Sequence, residues 1–94
     1  MILLNVFYHL PPENEESFIE AVAAENILEL TRAEDGCLKY ELYSSLDSEG
    51  ELILVEHWRD EAALESHKNQ PHFALLQEIK AKLVEKTDIE KYTV

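Results

Sequence analysis

Residues 37–58 read CLKYELYSSLDSEGELILVEHW, and this stretch decides the fold. Its first part places Leu38, Tyr40 and Leu42 on one side and mostly polar residues on the other, which is the period of a half-buried strand. Residues 45–50 are polar and end in glycine, so they predict a hairpin loop. Glu51–Trp58 is largely apolar on both faces and therefore predicts a strand in the centre of a sheet.

Two more strands and three helices are predicted around this hairpin. Ile2–His9 is an almost continuous apolar run and predicts a buried strand. Residues 13–31 begin with acidic side chains and then carry apolar residues at helical spacing, so they predict one amphipathic helix. Asp60 is the expected N-cap of a short helix to about residue 69. Pro71 suits the first position of a further helix, and residues 87–94 predict a closing strand.

The resulting order, β-α-β-β-α-α-β, predicts one α+β domain over residues 1–94. Its expected architecture is ferredoxin-like, with a four-stranded antiparallel sheet and helices on one face. The other face of the sheet also carries apolar residues and needs a cover. We therefore expect a homodimer in which two sheets pack against each other.

The charge of the chain excludes several classes of partner. The net charge is −12, from 20 acidic and 8 basic residues, which argues against nucleic acid and against an anionic membrane surface. The single cysteine, Cys37, cannot form an internal disulfide.

The apolar N-terminus lacks the basic start of a signal peptide, and no apolar run has the length of a membrane span. A cytoplasmic protein is therefore expected.

Three motifs lie in order along the second half of the chain. They are Gly36-Cys37-x-x-Tyr40, then Glu56-x-Trp58, then Ala63-Leu64-x-x-His67 followed by Pro71-His72-Phe73. In this order and spacing they resemble the antibiotic biosynthesis monooxygenase family, and the resemblance covers almost the whole chain. The resemblance implies a dimeric α+β barrel with a pocket between the sheet and the helices of each subunit. It also implies oxygenation of a quinol or a small phenolic or polyketide-like compound by O2, with no metal, flavin or haem.

Cofactor-free oxygenation needs a base, a group that holds the resulting oxyanion, and a dry pocket. His67 and His72 are the candidate bases, because imidazole has an unperturbed pKa of about 6.5. Each could instead be a core histidine whose hydrogen bonds are satisfied. Asn5 is the third catalytic candidate, because it is an amide within an apolar strand and matches an asparagine of haem-degrading relatives. An edge position or a bulge is its alternative explanation.

Four residues are candidates for binding the substrate. Tyr40, Trp58 and Phe73 could wall a flat aromatic compound, although core packing would also explain such side chains. Glu56 shares a strand face with Trp58 and is expected either in an ion pair, with Arg59 or a helix residue, or with a raised pKa.

No metal site is predicted. His67 and His72 are five residues apart with a proline between them, which differs from the one-face spacing of a helical zinc site. Haem chemistry is also disfavoured by the resemblance, because Gln77 stands where haem-degrading relatives have their iron ligand.

The sequence is compatible with two other functions. The stretch from His67 to His72 is similar to a branch of the family that rearranges a phosphorylated quorum-sensing signal. Such a substrate would need a cation in the pocket, from Lys68, Arg59 or Lys39. The domain could also be a non-catalytic module that binds a small ligand, because many functions share this fold.

Overall fold

A computed structural model describes residues 1–94 as a four-stranded antiparallel sheet with helices on one face. The strands are β1 (Ile2–His9), β2 (Cys37–Ser44), β3 (Glu51–Trp58) and β4 (Lys86–Thr93). The helices are α1 (Glu15–Ala24), α2 (Ile27–Arg32), α3 (Glu61–Lys68) and α4 (Pro71–Leu83), and a 3₁₀ turn at Pro12–Asn14 precedes α1. The order in the sheet is β2-β3-β1-β4, with every neighbouring pair antiparallel. The predicted ferredoxin-like fold class and the central place of β3 are confirmed.

The single helix predicted over residues 13–31 is wrong, because the chain breaks it at Asn26. This residue has φ of 53°, in the left-handed region that asparagine tolerates better than most residues. In an unbroken helix the residue four positions after the buried Val22 would be Asn26. The turn brings Ile27 inward instead, and Ile27 is only 1% exposed. The break therefore exchanges a polar side chain for an apolar one in the core.

β1 has two faces with different surroundings. Its even-numbered residues lie beneath the helices and are buried, from Ile2 to Tyr8. Its odd-numbered residues, including Leu3 and Phe7, lie on the opposite face and are half-buried in the single chain. The apolar run that predicted a buried strand thus fills two surfaces, and only one of them is covered by this chain's own helices.

The core lies between the sheet and the helices. Trp58, Tyr40, Phe18 and Ile27 are its largest fully buried side chains. The rings of Phe18 and Tyr8 join α1 to β1 with a centroid distance of 5.4 Å. Each such side chain contributes roughly 1.5–3 kcal/mol through burial, so the sheet face under the helices is the main source of stability. No helix in the structure combines the length and the apolar character that crossing a bilayer requires.

Gly50 ends the hairpin loop in close contact with the chain after β1. Its φ is 76°, and its carbonyl oxygen accepts a 2.8 Å hydrogen bond from the Leu10 N–H. A Cβ at this position would lie 2.1 Å from the Leu10 carbonyl oxygen, which is backbone and cannot turn away. Glycine is therefore required here for both its backbone conformation and its small size.

Gly50→Ala is expected to lower the free energy of unfolding by about 2 kcal/mol or more, because it adds a backbone clash to a left-handed conformation. Urea unfolding followed by circular dichroism measures the change. Ser48→Ala, at an exposed position of the same loop, is the matched control and is expected to change stability by no more than about 0.5 kcal/mol. Equal stabilities of the two variants would contradict this account of the loop.

Candidate functional site

A cavity of about 190 Å³ lies between the sheet and helices α3 and α4. Its apolar lining is formed by Leu4, Val6, Leu64, Phe73 and Ile89. Its polar lining is formed by Tyr8, Glu56, His67, Lys68, Gln77 and Lys80. Ile89 is 61% exposed, so the cavity opens to solvent beside β4. A concave, largely apolar site with a few polar groups is the usual form of a small-molecule pocket.

His67 reaches this cavity from the inner face of α3. The Asp60 carboxylate accepts a 2.8 Å hydrogen bond from the Ala63 N–H, and this predicted N-cap fixes where the helix begins. With that start, Ala63, Leu64 and His67 fall on one face and are buried against the sheet. The position of the imidazole is therefore set by the cap and the helical repeat.

One carboxylate oxygen connects both histidines. Glu34 Oε2 lies 2.7 Å from His67 Nδ1 and 2.7 Å from His72 Nε2. A carboxylate oxygen can only accept, so both ring nitrogens donate. The His67 ring makes no other hydrogen bond with the protein. Every fully buried side-chain nitrogen of the structure has a hydrogen-bond partner, so His67 Nε2, which has none, is not fully buried. His67 Nε2 is therefore open to the cavity that its ring lines.

Aromatic rings surround His67 and hold its orientation. Its ring centroid lies 4.7 Å from Trp58, 5.2 Å from Phe73 and 5.6 Å from Tyr40. Phe73 lines the cavity, whereas Trp58 and Tyr40 are buried behind the imidazole and do not line it. Of the three aromatic residues predicted to bind substrate, one is thus placed to touch a ligand and two are placed to support the histidine.

Burial lowers the pKa of His67, and the hydrogen bond and charge of Glu34 partly oppose that shift. The neutral imidazole is therefore favoured near neutral pH. With its Nδ1 proton donated to Glu34, the lone pair is on Nε2 and faces the cavity. This is the arrangement that a general base requires, in which a carboxylate orients the ring and the other nitrogen is free to take a proton.

Glu56 lines the cavity on the sheet side. Trp58 Nε1 donates a 3.0 Å hydrogen bond to Glu56 Oε1, and burial raises the pKa of this carboxyl to about 7. An ion pair with Arg59 does not form, because Arg59 instead contacts Asp35 at 3.2 Å and Asp60 at 3.4 Å. Glu56 forms no ion pair with a helix residue either, and the charges of Lys80 and Lys68 only partly oppose the effect of burial on its pKa.

Asn5 is not brought to this cavity. It is an odd-numbered residue of β1, so it lies on the outer face of the sheet, where its amide donates a 3.3 Å hydrogen bond to Glu90. The neighbouring Leu4 and Val6 face the cavity instead. His72 also does not line the cavity, but it shares the Glu34 oxygen with His67.

Glu34 is the residue that sequence reasoning missed. It lies 33 positions before His67 and 38 before His72, in the turn between α2 and β2. Its ligand atom and those of the two histidines lie within 4.8 Å of one another, so these three residues could hold a divalent metal. The spacing of the two histidines predicts no metal site, because Glu34 lies 33 or more positions before either of them. The two 2.7 Å hydrogen bonds are sufficient to explain why these three side chains lie together.

Glu34 also borders a second concavity on the other side of α3. This surface groove of about 450 Å³ is lined by Glu34, Asp35, Arg59, Ser66 and Gln70, among others. Its one arginine is engaged by two aspartates, so the groove presents no free cation.

Comparison with known proteins identifies relatives of the whole domain. The model of the family described as antibiotic biosynthesis monooxygenase matches residues 1–79. The "Putative monooxygenase YcnE" of Bacillus subtilis is 33% identical over 73 residues, which cover 78% of this chain and 75% of that protein. Among solved structures, Rv0793 of Mycobacterium tuberculosis superposes with a TM-score of 0.87 and 28% identity, covering 99% of this chain and 93% of that one. PA3566 of Pseudomonas aeruginosa has a TM-score of 0.86 and 28% identity, covering 97% and 90%.

Glu56→Gln is expected to make the free energy of unfolding less dependent on pH. Folding raises the pKa of the Glu56 carboxyl from 4.5 to about 7. Between these two pH values the folded state therefore keeps a proton that the unfolded state has lost. The stability from this group is therefore fully present below pH 4.5 and is lost as the pH rises through 7. The loss is roughly 3 kcal/mol, at about 1.4 kcal/mol per pKa unit.

The measurement is urea unfolding of wild type and Glu56→Gln from about pH 4.5 to about pH 8. The variant should gain stability relative to wild type as the pH rises, because glutamine has no proton to lose. Glu49→Gln, at an exposed position, should show no such trend. A difference between Glu56→Gln and wild type that stays constant with pH would contradict the assignment.

Proposed function

The chain belongs to the antibiotic biosynthesis monooxygenase family, and from this premise we propose that it oxidises a small phenol or quinol with O2 and without a cofactor. The observation that carries the proposal is the open Nε2 of His67 in an apolar cavity, with Nδ1 held by Glu34. This pair supplies the base that a cofactor-free oxygenation needs.

The proposed reaction begins with proton transfer from the substrate hydroxyl to His67 Nε2. The imidazolium that forms is stabilised by the Glu34 carboxylate on its other nitrogen. The electron-rich phenolate then reacts with O2. One oxygen atom enters the ring, the other leaves as water, and the quinol supplies all four electrons. No flavin, haem or metal is needed for this electron balance.

The size of the cavity supports a substrate with one ring. Its volume is about 190 Å³. An apolar cavity of about 150 Å³ in another protein holds benzene. A single phenolic ring with small substituents therefore fits within it. Among the proposed substrate classes, single-ring quinols and phenols are favoured.

Isomerisation of a small phosphorylated carbonyl compound is the second candidate. Lys68 and Lys80 line the cavity, and Glu56 there has a pKa of about 7, so a cation, an acid and the His67 base surround one space. The other cations considered for this role, Arg59 and Lys39, do not line the cavity. Turnover by this route would need no oxygen.

Oxygen uptake with a panel of reduced single-ring quinols tests the proposal. Rates corrected for autoxidation should fall by about 100-fold or more in His67→Ala, the usual scale for loss of a general base. His9→Ala removes a histidine from the outer face and should leave the rate unchanged. A chelator should also have no effect. Uptake no faster than the protein-free blank would contradict the oxygenase proposal. Conversion of a small phosphorylated carbonyl compound by the protein without oxygen would favour the isomerase.

We further propose that the chain forms a homodimer through the outer face of its sheet. Leu3, Phe7, Ile53 and Val55 form a half-buried apolar surface there that none of the chain's helices covers. Packing of two such faces would remove this surface from water.

Sedimentation tests this interface. Wild type should sediment at twice the 10.9 kDa chain mass, and Val55→Glu should sediment as a monomer, because it would bury two charges in the interface. Ala74→Glu, at an exposed position of α4, is the control and should remain dimeric. A monomeric wild type at the same micromolar concentrations would rule the interface out.

A further inference from the structure

Lys80 is a cation that faces the cavity without an acidic partner. It reaches the cavity from α4, where its side chain is half-buried. Its Nζ lies 5.2 Å from the centroid of the Tyr8 ring, and its one hydrogen bond is a long contact of 3.5 Å with the Gln77 amide oxygen. No carboxylate lies within ion-pair distance of it, although the chain has 20 acidic residues.

The other basic residues of the molecule do not share this environment. Arg32, Arg59, Lys68, Lys86 and Lys91 are each paired with a carboxylate. Two more, Lys39 and Lys82, lie outside the cavity. Lys80 is thus the one basic group that combines an unpaired charge with a place in the cavity.

An unpaired ammonium group in a mostly apolar cavity attracts an anion more strongly than the same group does in water, because the local dielectric constant is lower. Burial also lowers the pKa of Lys80, and the charge of Glu56 across the cavity only partly opposes that shift. A bound anion would oppose it further. The Tyr8 ring compensates the charge only in part.

We propose that Lys80 forms an oxyanion subsite, at which the cavity binds the ionised oxygen of a single-ring phenol, with the ring against Phe73. The inference rests on the proposed function in using the same cavity, and it adds the group that receives the negative charge after His67 takes the proton. The apolar lining favours an aromatic anion over a fully hydrated inorganic one.

Four other titratable groups face the same space: Tyr8, Glu56, His67 and Lys68. Ionised Glu56 would repel a phenolate, whereas its protonated form would not. The Lys68 ammonium lies at an exposed position 3.4 Å from Glu65, so its charge is already partly compensated. The subsite is therefore expected to work best on the acidic side of the Glu56 titration, where this carboxyl is neutral and does not repel the phenolate.

The test uses 4-nitrophenol, which absorbs visible light only when it is ionised. At a pH where the free probe is half ionised, saturating wild-type protein should raise its phenolate absorbance. Lys80→Met should abolish this rise and weaken binding at least tenfold, and Lys80→Arg should retain the rise. Lys82→Met changes an exposed lysine of the same helix and should behave as wild type. Circular dichroism of each variant establishes that it is folded.

Three results would overturn the subsite. One is an unchanged absorbance rise in Lys80→Met, and another is preferential binding of the neutral phenol by wild type. The third is direct binding of inorganic phosphate that is lost in Lys80→Met, with no effect of the protein on the probe, which would assign Lys80 to an inorganic anion. The absorbance measurement requires no turnover, so it tests the Lys80 subsite independently of the oxygenase proposal. A probe that ionises on binding to a protein without oxygen uptake would leave the subsite standing and remove the oxygenase.

Discussion

A single carboxylate oxygen organises the candidate site. A largely buried carboxylate must be matched by donors, and Glu34 finds both of its donors in imidazole rings from different helices. These hydrogen bonds tie the turn before β2 to α3 and to the start of α4. They also settle which nitrogen of His67 carries the proton, and so which nitrogen faces the cavity. The aromatic rings around His67 then hold the imidazole in the orientation that the carboxylate selects.

Burial in one cavity shifts the pKa values of a histidine and a glutamate in opposite directions. Removal of water disfavours charge, so it lowers the pKa of the His67 imidazole and raises that of the Glu56 carboxyl to about 7. Near neutral pH the histidine is therefore a neutral base with its lone pair on Nε2, and the Glu56 carboxyl is close to losing its proton. Neither role needs a special residue type. Both follow from placing ordinary titratable side chains between the apolar face of the sheet and the helices.

Local pattern predicted the elements well, and it failed where distant contacts decide. The two-residue period of residues 37–44 and the loop that ends at Gly50 predicted the hairpin, and Asp60 and Pro71 predicted the helix starts, because these signals depend only on neighbours in sequence. A register shift at Leu38 interrupts that period and leaves this side chain 58% exposed, whereas the pattern placed it beside the buried Tyr40. The break at Asn26 was missed because the apolar spacing of the surrounding residues looks continuous. In β1 both faces are apolar, so the pattern did not reveal that Asn5 faces away from the cavity. Glu34 carries no local signal, since its two histidine partners come from other elements. Lys80 carries none either, since the cavity that it faces is formed together with the sheet and α3.

The alternation along β1 has a consequence for how such a protein can change. Even-numbered positions form the floor of the cavity, and odd-numbered positions form the outer face. A substitution at an even-numbered position can therefore change which ligands the cavity binds without altering the outer face. A substitution at an odd-numbered position can change the outer face without altering the cavity. A one-residue insertion has no such freedom, because it would exchange the two sets of side chains at once. Along this strand, we therefore expect related proteins to differ by substitutions rather than by insertions or deletions.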